Sequence, residues 1–210
     1  MRRVGFVVNP IAGMWGRVGL KGTDGKVEEA RRRGAEPRSP ARARKALEHL
    51  RANSEGIELY AYGGEMGERV AVDAGFDPVV VGRPDGDETT AADTREAVRK
   101  LVGVSRTEGR PEQPATRPNG VDVILFGGGD GTAVDVAEAL EELGDDTPIL
   151  GIPSGVKVYS SVFAVTPRAA GRIAATFDRT ESREINDIDE DAYRDGEVET
   201  ELKAIATVPV

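Results

Sequence analysis

The chain has 210 residues and a formal net charge of −9, with 39% hydrophobic and 5% aromatic residues. That length holds one large domain, or one domain and the start of another, around a core of Val, Ala, Ile and Leu rather than rings. The acidic balance argues against a general nucleic-acid or anionic-membrane binder. Cysteine is absent, which removes disulfides and thiolate metal sites. No apolar run approaches the ~20 residues a membrane helix needs.

The first apolar run, Val4–Val8, is short, β-branched and closed by Asn9-Pro10, which predicts a buried parallel strand. The preceding basic tip does not make it a secretion signal, because the run is too short, so a cytoplasmic protein is expected. A loop punctuated by Gly13, Gly16, Gly19, Gly22 and Gly25 follows directly, where α/β proteins keep their ligands. Arg31–Arg33 read as a solvated helix face. Ser39-Pro40 is a helix-start signal, and Ala43, Ala46, Leu47 and Leu50 then share one face. His49 lies on that helix among Arg and Lys and reads as a surface residue, with no Ser/His/Asp set in view.

Ile57–Gly64 predicts the second strand and EMGERVAVDAG its helix, with YGGEMG (Tyr62–Gly67) as a strand-end turn. Asp77–Gly82 is a third short strand, and Thr89–Val102 is a helix with several capping choices at its start. Gly103–Gly120 holds three prolines, three glycines and almost no apolar residue, which predicts a mobile surface loop. VDVILF, GGGDGT and AVDVAEALEELG then read as fourth strand, loop and helix. PILGIPSGVKVYSSVFA adds a fifth strand, a third glycine-containing loop and a helix start, and Thr166–Phe177 continues helical.

Short apolar strands alternating with helices predict an α/β, Rossmann-like parallel sheet covered by helices on both faces. The tail turns acidic and then strand-like. A first domain over 1–180 and the start of a β-rich second one over 181–210 are therefore expected, with that second domain truncated. The acidic stretch DIDEDAYRD lacks the glycine and terminal Glu of a calcium loop.

The segment Phe126–Thr132, FGGGDGT, carries the chemistry. A strand, a glycine turn and a helix leave unpaired backbone N–H groups at a helix N-terminus, which attract phosphate. Gly127, Gly128 and Gly129 permit close approach and positive φ, and Thr132 offers a cap and a hydroxyl. Walker A is excluded because Ala133 stands where its Lys belongs, and GxGxxG does not fit either. The bland alternative is a tight turn capped by Asp130. Three successive glycines, at ~0.5–1 kcal/mol of backbone entropy each, are more than such a turn requires.

GGDGT (Gly128–Thr132) behind an apolar strand resembles the signature of the NAD kinase and diacylglycerol kinase superfamily. NPIAG (Asn9–Gly13) resembles its Asn-Pro-x-x-Gly loop. NPIAGMWGRVGLKGTDG together with GIPSGVKVYSSVFA (Gly151–Ala164) is similar to the archaeal and bacterial ATP-NAD kinase-like branch, and the likeness covers nearly the whole chain. It implies a two-domain kinase, α/β first and mostly β second. Such a kinase uses ATP or polyphosphate and magnesium or another divalent cation to phosphorylate the 2′-hydroxyl of NAD or a related nucleotide. The implied partners are ATP and NAD, not nucleic acid or membrane, and the implied assembly is a homodimer or tetramer.

On this resemblance Asp130 is the general base at the acceptor hydroxyl. Gly127, Gly128, Gly129, Gly131 and Thr132 lie against donor phosphates. Asn9, Pro10 and Gly13 serve phosphate or ribose from the first loop, and Ser154, Gly155 and Lys157 serve phosphate from the third. The likeness assigns no metal-ligand set; magnesium bridging the phosphates offsets the repulsion between them and Asp130. Trp15 stands where the family carries a small residue and reads first as packing. The family's adenine-binding Asn-Glu pair has no clear counterpart. Two other readings stay open: a lipid or small-alcohol kinase of the same superfamily, and a non-catalytic nucleotide-binding fragment. A Rossmann dehydrogenase is disfavoured because its fingerprint is missing.

Lysine occurs only at 21, 26, 45, 100, 157 and 203, so arginine supplies most of the positive charge. An acidic, Lys-poor chain fits a salt-rich cytoplasm, where screening lengths shrink to ~3 Å at about 1 M; a GC-rich genome produces the same bias. The melting temperature from low to molar salt separates the two. Salt adaptation predicts a rise, and a flat or falling curve overturns it.

Overall fold

The computed structural model describes residues 1–12, 38–86, 88–104, 120–154, 157–188 and 200–210. From Arg3 onward every position of β1 (Arg2–Val8) is buried, without the alternation of a strand that has one wet face. β4 (Val123–Gly128) and β5 (Ile149–Pro153) are buried throughout as well. Together with β2 (Ile57–Tyr62) and β3 (Val79–Gly82) they form, among the described residues, one parallel sheet in the order β3-β2-β1-β4-β5. The chain steps outward from β1 to β3 and then crosses back to the other side of β1. The direction of winding therefore reverses between β1 and β4, the switch point where open α/β sheets bind ligands.

Helices cover both faces. On one lie α1 (Ser39–Asn53), α2 (Glu68–Asp73) and α5 (Pro167–Thr176), whose Ala43, Leu47, Leu50, Val70 and Ala170 pack on Val4, Phe6 and Leu125. On the other lie α3 (Ala91–Val102) and α4 (Asp130–Leu143), which bury Val98, Leu101, Val136 and Leu140 against Val7, Ile124 and Phe126. Each fully buried Leu or Ile of these layers contributes about 1.5–3 kcal/mol. The start of α3 carries a capping box, in which Asp93 accepts from the Thr90 backbone N–H at 2.8 Å. Arg95 joins α3 to Asp135 and Glu138 of α4.

β6 (Thr180–Ile188) and β7 (Thr200–Pro209) pair antiparallel in a separate two-stranded sheet. Its Ile185, Ala206 and Val208 are buried in the same core layer as α4, so the pair is seated on that side of the sheet. No described helix is long and apolar enough to cross a membrane.

Two helices and one glycine tie the first face together. Thr166 caps α5 by accepting from Ala169 N at 3.1 Å, with Pro167 next. At the far end Arg2 donates to Ala174 O at 3.1 Å and to Phe177 O, and its guanidinium lies 3.9 Å from the Phe177 ring centroid. Where α5 crosses α1, a Cβ on Gly171 would stand 2.1 Å from Ala46 O and 2.7 Å from Leu50 N. The two backbones touch, and only glycine permits it.

The structure differs from the sequence expectations in three places. EMGERVAVDAG is not one helix but a 3-10 turn, Gly64–Met66, and then α2, broken at Gly67. The cause is local: Glu68 accepts from Gly64 N at 2.8 Å and holds Arg83 through both carboxylate oxygens, which pins the turn after β2. Val162–Ala164 do not start a helix. They run beside β5, with Gly151 N donating to Val162 O at 2.9 Å and Ala164 N to Gly151 O at 3.0 Å. GGGDGT is not a six-residue loop, since strand and helix meet inside it. The loop expected over Gly103–Gly120 lies mostly outside the described residues, as do Arg31–Arg33.

Gly171→Ala should lower stability by about 3 kcal/mol, read by urea denaturation, because the methyl meets backbone on both sides. The hydrogen bonds from Arg83 and then from Gly64 hold the Glu68 carboxyl below its usual value. A depressed carboxyl stabilises the fold fully above the unfolded value of about 4.3, and that contribution fades as pH falls through the folded value. Glu68→Gln should therefore flatten the fall in stability below about pH 4.3 in acid denaturation, and an unchanged profile overturns this.

Candidate functional site

The ends of β1 and β4 meet at the switch point. Asn9 N donates to Gly127 O at 2.8 Å, extending the parallel ladder by one residue. The Asn9 side chain then works in two directions. Its Oδ1 accepts from Ile11 N at 3.1 Å, the local turn that Asn favours, and its Nδ2 reaches Thr132 Oγ1 at 3.4 Å. The first loop is thereby strapped to the first turn of α4. Pro10 is buried beside it.

β4 runs to Gly128 and α4 begins at Asp130, so a single residue, Gly129, separates strand from helix. Gly129 has φ −114°, and none of Gly127, Gly128 and Gly131 has positive φ. The expectation of left-handed backbone here is corrected: closeness is what demands glycine. A Cβ on Gly127 would stand 2.8 Å from Val8 Cγ2, and one on Gly128 would stand 2.4 Å from Thr132 Oγ1. Gly131 is the opposite case. Among the described residues a Cβ there would meet nothing within 4 Å, so none of them covers the first turn of α4 on that side.

Thr132 is also not the cap. It is the third residue of α4 and is buried, while the N-cap is Gly129, with no side-chain hydrogen bond. The leading N–H groups of this 14-residue helix have no partner inside the helix, and the helix dipole adds positive potential there. That combination binds anions.

Asp130 sits at that end, and its carboxylate is well used. Oδ2 accepts from Tyr159 N at 2.8 Å, and Oδ1 accepts from Ser160 N at 2.9 Å and Ser160 Oγ at 2.5 Å. A carboxylate offers about four lone-pair sites, so among the described residues three are taken and roughly one is left. The charge has a plain structural purpose, since it complements the α4 dipole and pairs two backbone amides of the third loop. Ser160 continues the chain of contacts to β6, with its Oγ 2.9 Å from Asn186 O and 3.1 Å from Asn186 N.

Ser154, directly after β5, is fully buried, and among the described residues its hydroxyl has no hydrogen-bond partner. Ser39, at the start of α1, is in the same state, and a Cβ on Gly127 would lie 3.1 Å from its Oγ. Arg42, one turn along α1, donates to Pro153 O at 2.5 Å. Lys157 is exposed, with its ammonium 4.6 Å from the centre of the Tyr159 ring.

Asn9, Pro10, Gly127, Gly128, Gly129, Asp130, Gly131 and Thr132 thus converge on one rim, with Ser154 at the end of the adjoining β5. Lys157 adjoins it through Tyr159, whose amide donates to Asp130. Gly13, Gly155 and Trp15 lie outside the described residues. His49 packs with Arg168, whose Nε is 3.2 Å from its Nε2, and takes no part. Open hollows beside Arg44, Lys45 and Asp73, and beside Met1 and Phe76, do not touch Asp130. Among the described residues no group of three or more Asp, Glu or His stands ready to hold a metal.

Sequence reasoning missed Tyr159, Ser160, Ser39, Arg42 and Asn186. The YSS that follows GVK was visible, but nothing local marks a serine 30 residues beyond Asp130 as its partner.

No curated protein and no solved structure matches the chain. A model of the ATP-NAD kinase N-terminal domain matches residues 4–181, from within β1 to the start of β6, and takes in every residue of the rim. With most of its length so matched, the chain belongs to the ATP-NAD kinase N-terminal domain family.

Proposed function

We propose that the chain is an NAD kinase-like phosphotransferase, passing a phosphoryl group from ATP or polyphosphate to the 2′-hydroxyl of NAD or a related nucleotide. The observation that carries this reading is Asp130 at the N-terminus of α4, whose first turn Asn9 touches through Thr132, at the switch point. The leading amides of α4 suit the donor phosphates, and among the described residues nothing fills the space beside Gly131.

The free lone pair of Asp130 accepts the hydrogen bond of the acceptor hydroxyl. As that oxygen bonds to phosphorus, the bond from phosphorus to the leaving phosphate breaks and the hydroxyl proton passes to Asp130. Tyr159 N, Ser160 N and Ser160 Oγ keep the carboxylate from swinging away. Magnesium fits this rim as a cation that takes most of its ligands from phosphate and water with one carboxylate alongside. Once bound it supplies neutralisation of charge on the phosphates.

A second reading, nucleotide binding without turnover, is favoured by one observation: three donors already occupy the Asp130 carboxylate.

Asp130→Asn should abolish NAD phosphorylation by roughly a hundredfold or more in kcat while ATP binding persists, read by coupled assay and calorimetry. Turnover unaffected by the substitution overturns the role of Asp130. ATP binding with no turnover by the unaltered chain selects the second reading.

A further inference from the structure

We propose that Ser160 is the positioning residue for Asp130, and that it makes the alignment of that carboxylate depend on the seating of β6. This rests on the phosphotransferase reading above.

The geometry around one hydroxyl carries the inference. Ser160 Oγ has a single proton and two acceptors in reach, Asp130 Oδ1 at 2.5 Å and Asn186 O at 2.9 Å. Asn186 N, at 3.1 Å, donates to the same oxygen. The charged acceptor at the shorter distance holds the proton, because charge-assisted hydrogen bonds are about twice as strong as neutral ones. Turned toward Asn186 O instead, the hydroxyl would release one more lone pair of Asp130. Its rotation therefore sets whether the carboxylate has one open acceptor site or two.

Ser160 is 6% exposed, so water does not readily take the place of its hydroxyl. Its neighbour fixes the same docking. Ser161 N donates to Glu184 O at 2.9 Å, so residues 160 and 161 both lie along the outer edge of β6. The pairing register of β6 and β7 shifts between Ile185 and Asn186, at the point of contact. Irregularities of this kind bend a strand and re-aim its groups, and they gather beside active sites. Here Ile185 stays fully buried in the core while the backbone of Asn186 meets Ser160. A shift of β6 would reach Asp130 through one side chain.

Ser160→Ala and Ser160→Thr, each in the full chain and compared with Asp130→Asn, test this by steady-state kinetics with ATP and NAD. Ser160→Ala should lose roughly ten- to a hundredfold in kcat with the KM for ATP unchanged, as expected for a misplaced reacting group. Ser160→Thr, which keeps the hydroxyl, should restore most of the rate. Asp130→Asn with Ser160→Ala should be no slower than Asp130→Asn alone. Full activity in Ser160→Ala, beside an inactive Asp130→Asn, overturns the inference and leaves the phosphotransferase reading intact. An unaltered chain with no turnover overturns that reading instead, and the amide proton resonance of Tyr159 then decides the positioning. Movement in Ser160→Ala toward its value in Asp130→Asn supports it, and an unmoved resonance overturns it.

Discussion

A parallel sheet buried on both faces spends its backbone groups on its own ladders and leaves no room for polar side chains within. β1, β4 and β5 are of this kind, so chemistry is confined to the rims where strands end. The order of winding then singles out one place on one rim. Between β1 and β4 the connections depart in opposite directions, and the ends of these strands are held together by the hydrogen bond from Asn9 N to Gly127 O. The arrangement of the candidate site depends on that junction.

The two rims are finished differently. At the N-terminal rim, cationic side chains close the structure: Arg2 takes the last carbonyls of α5, and Arg3 pairs with Glu58 at 3.5 Å. At the C-terminal rim, polar capacity is left over. Among the described residues, the first turn of α4 has no neighbour beside Gly131, and the buried hydroxyls of Ser39 and Ser154 have no partner. Leaving a buried polar group unpaired costs about 1–3 kcal/mol.

Asp130 reconciles two demands that conflict on paper. A carboxylate in a phosphate cradle repels its ligand, yet a negative charge at a helix N-terminus is favourable. The third loop resolves the conflict by directing two amides and a hydroxyl at the carboxylate. Those donors hold it toward the third loop, which Ser160 Oγ in turn joins to the backbone of Asn186 in β6. Ser160 Oγ, through its bonds to Asn186, also ties the antiparallel pair to this rim.

Much was legible in the sequence alone. The apolar runs Val4–Val8 and VDVILF marked central strands because burial on both faces removes any alternation, and their spacing with helices implied the parallel sheet. NPIAG and GGDGT were readable because a backbone that must approach another chain, or a phosphate, needs glycine at fixed offsets. What local pattern does not carry was decided by tertiary structure. Gly128 is required by the Thr132 side chain folded back on it, not by a left-handed turn. The partners of Asp130 come from a loop 29 and 30 residues onward, and those of Ser160 from 26 beyond that. Residue types and periodicity are written along the chain, whereas the pairing of a carboxylate with distant amides exists only once β5, α4 and β6 are packed together.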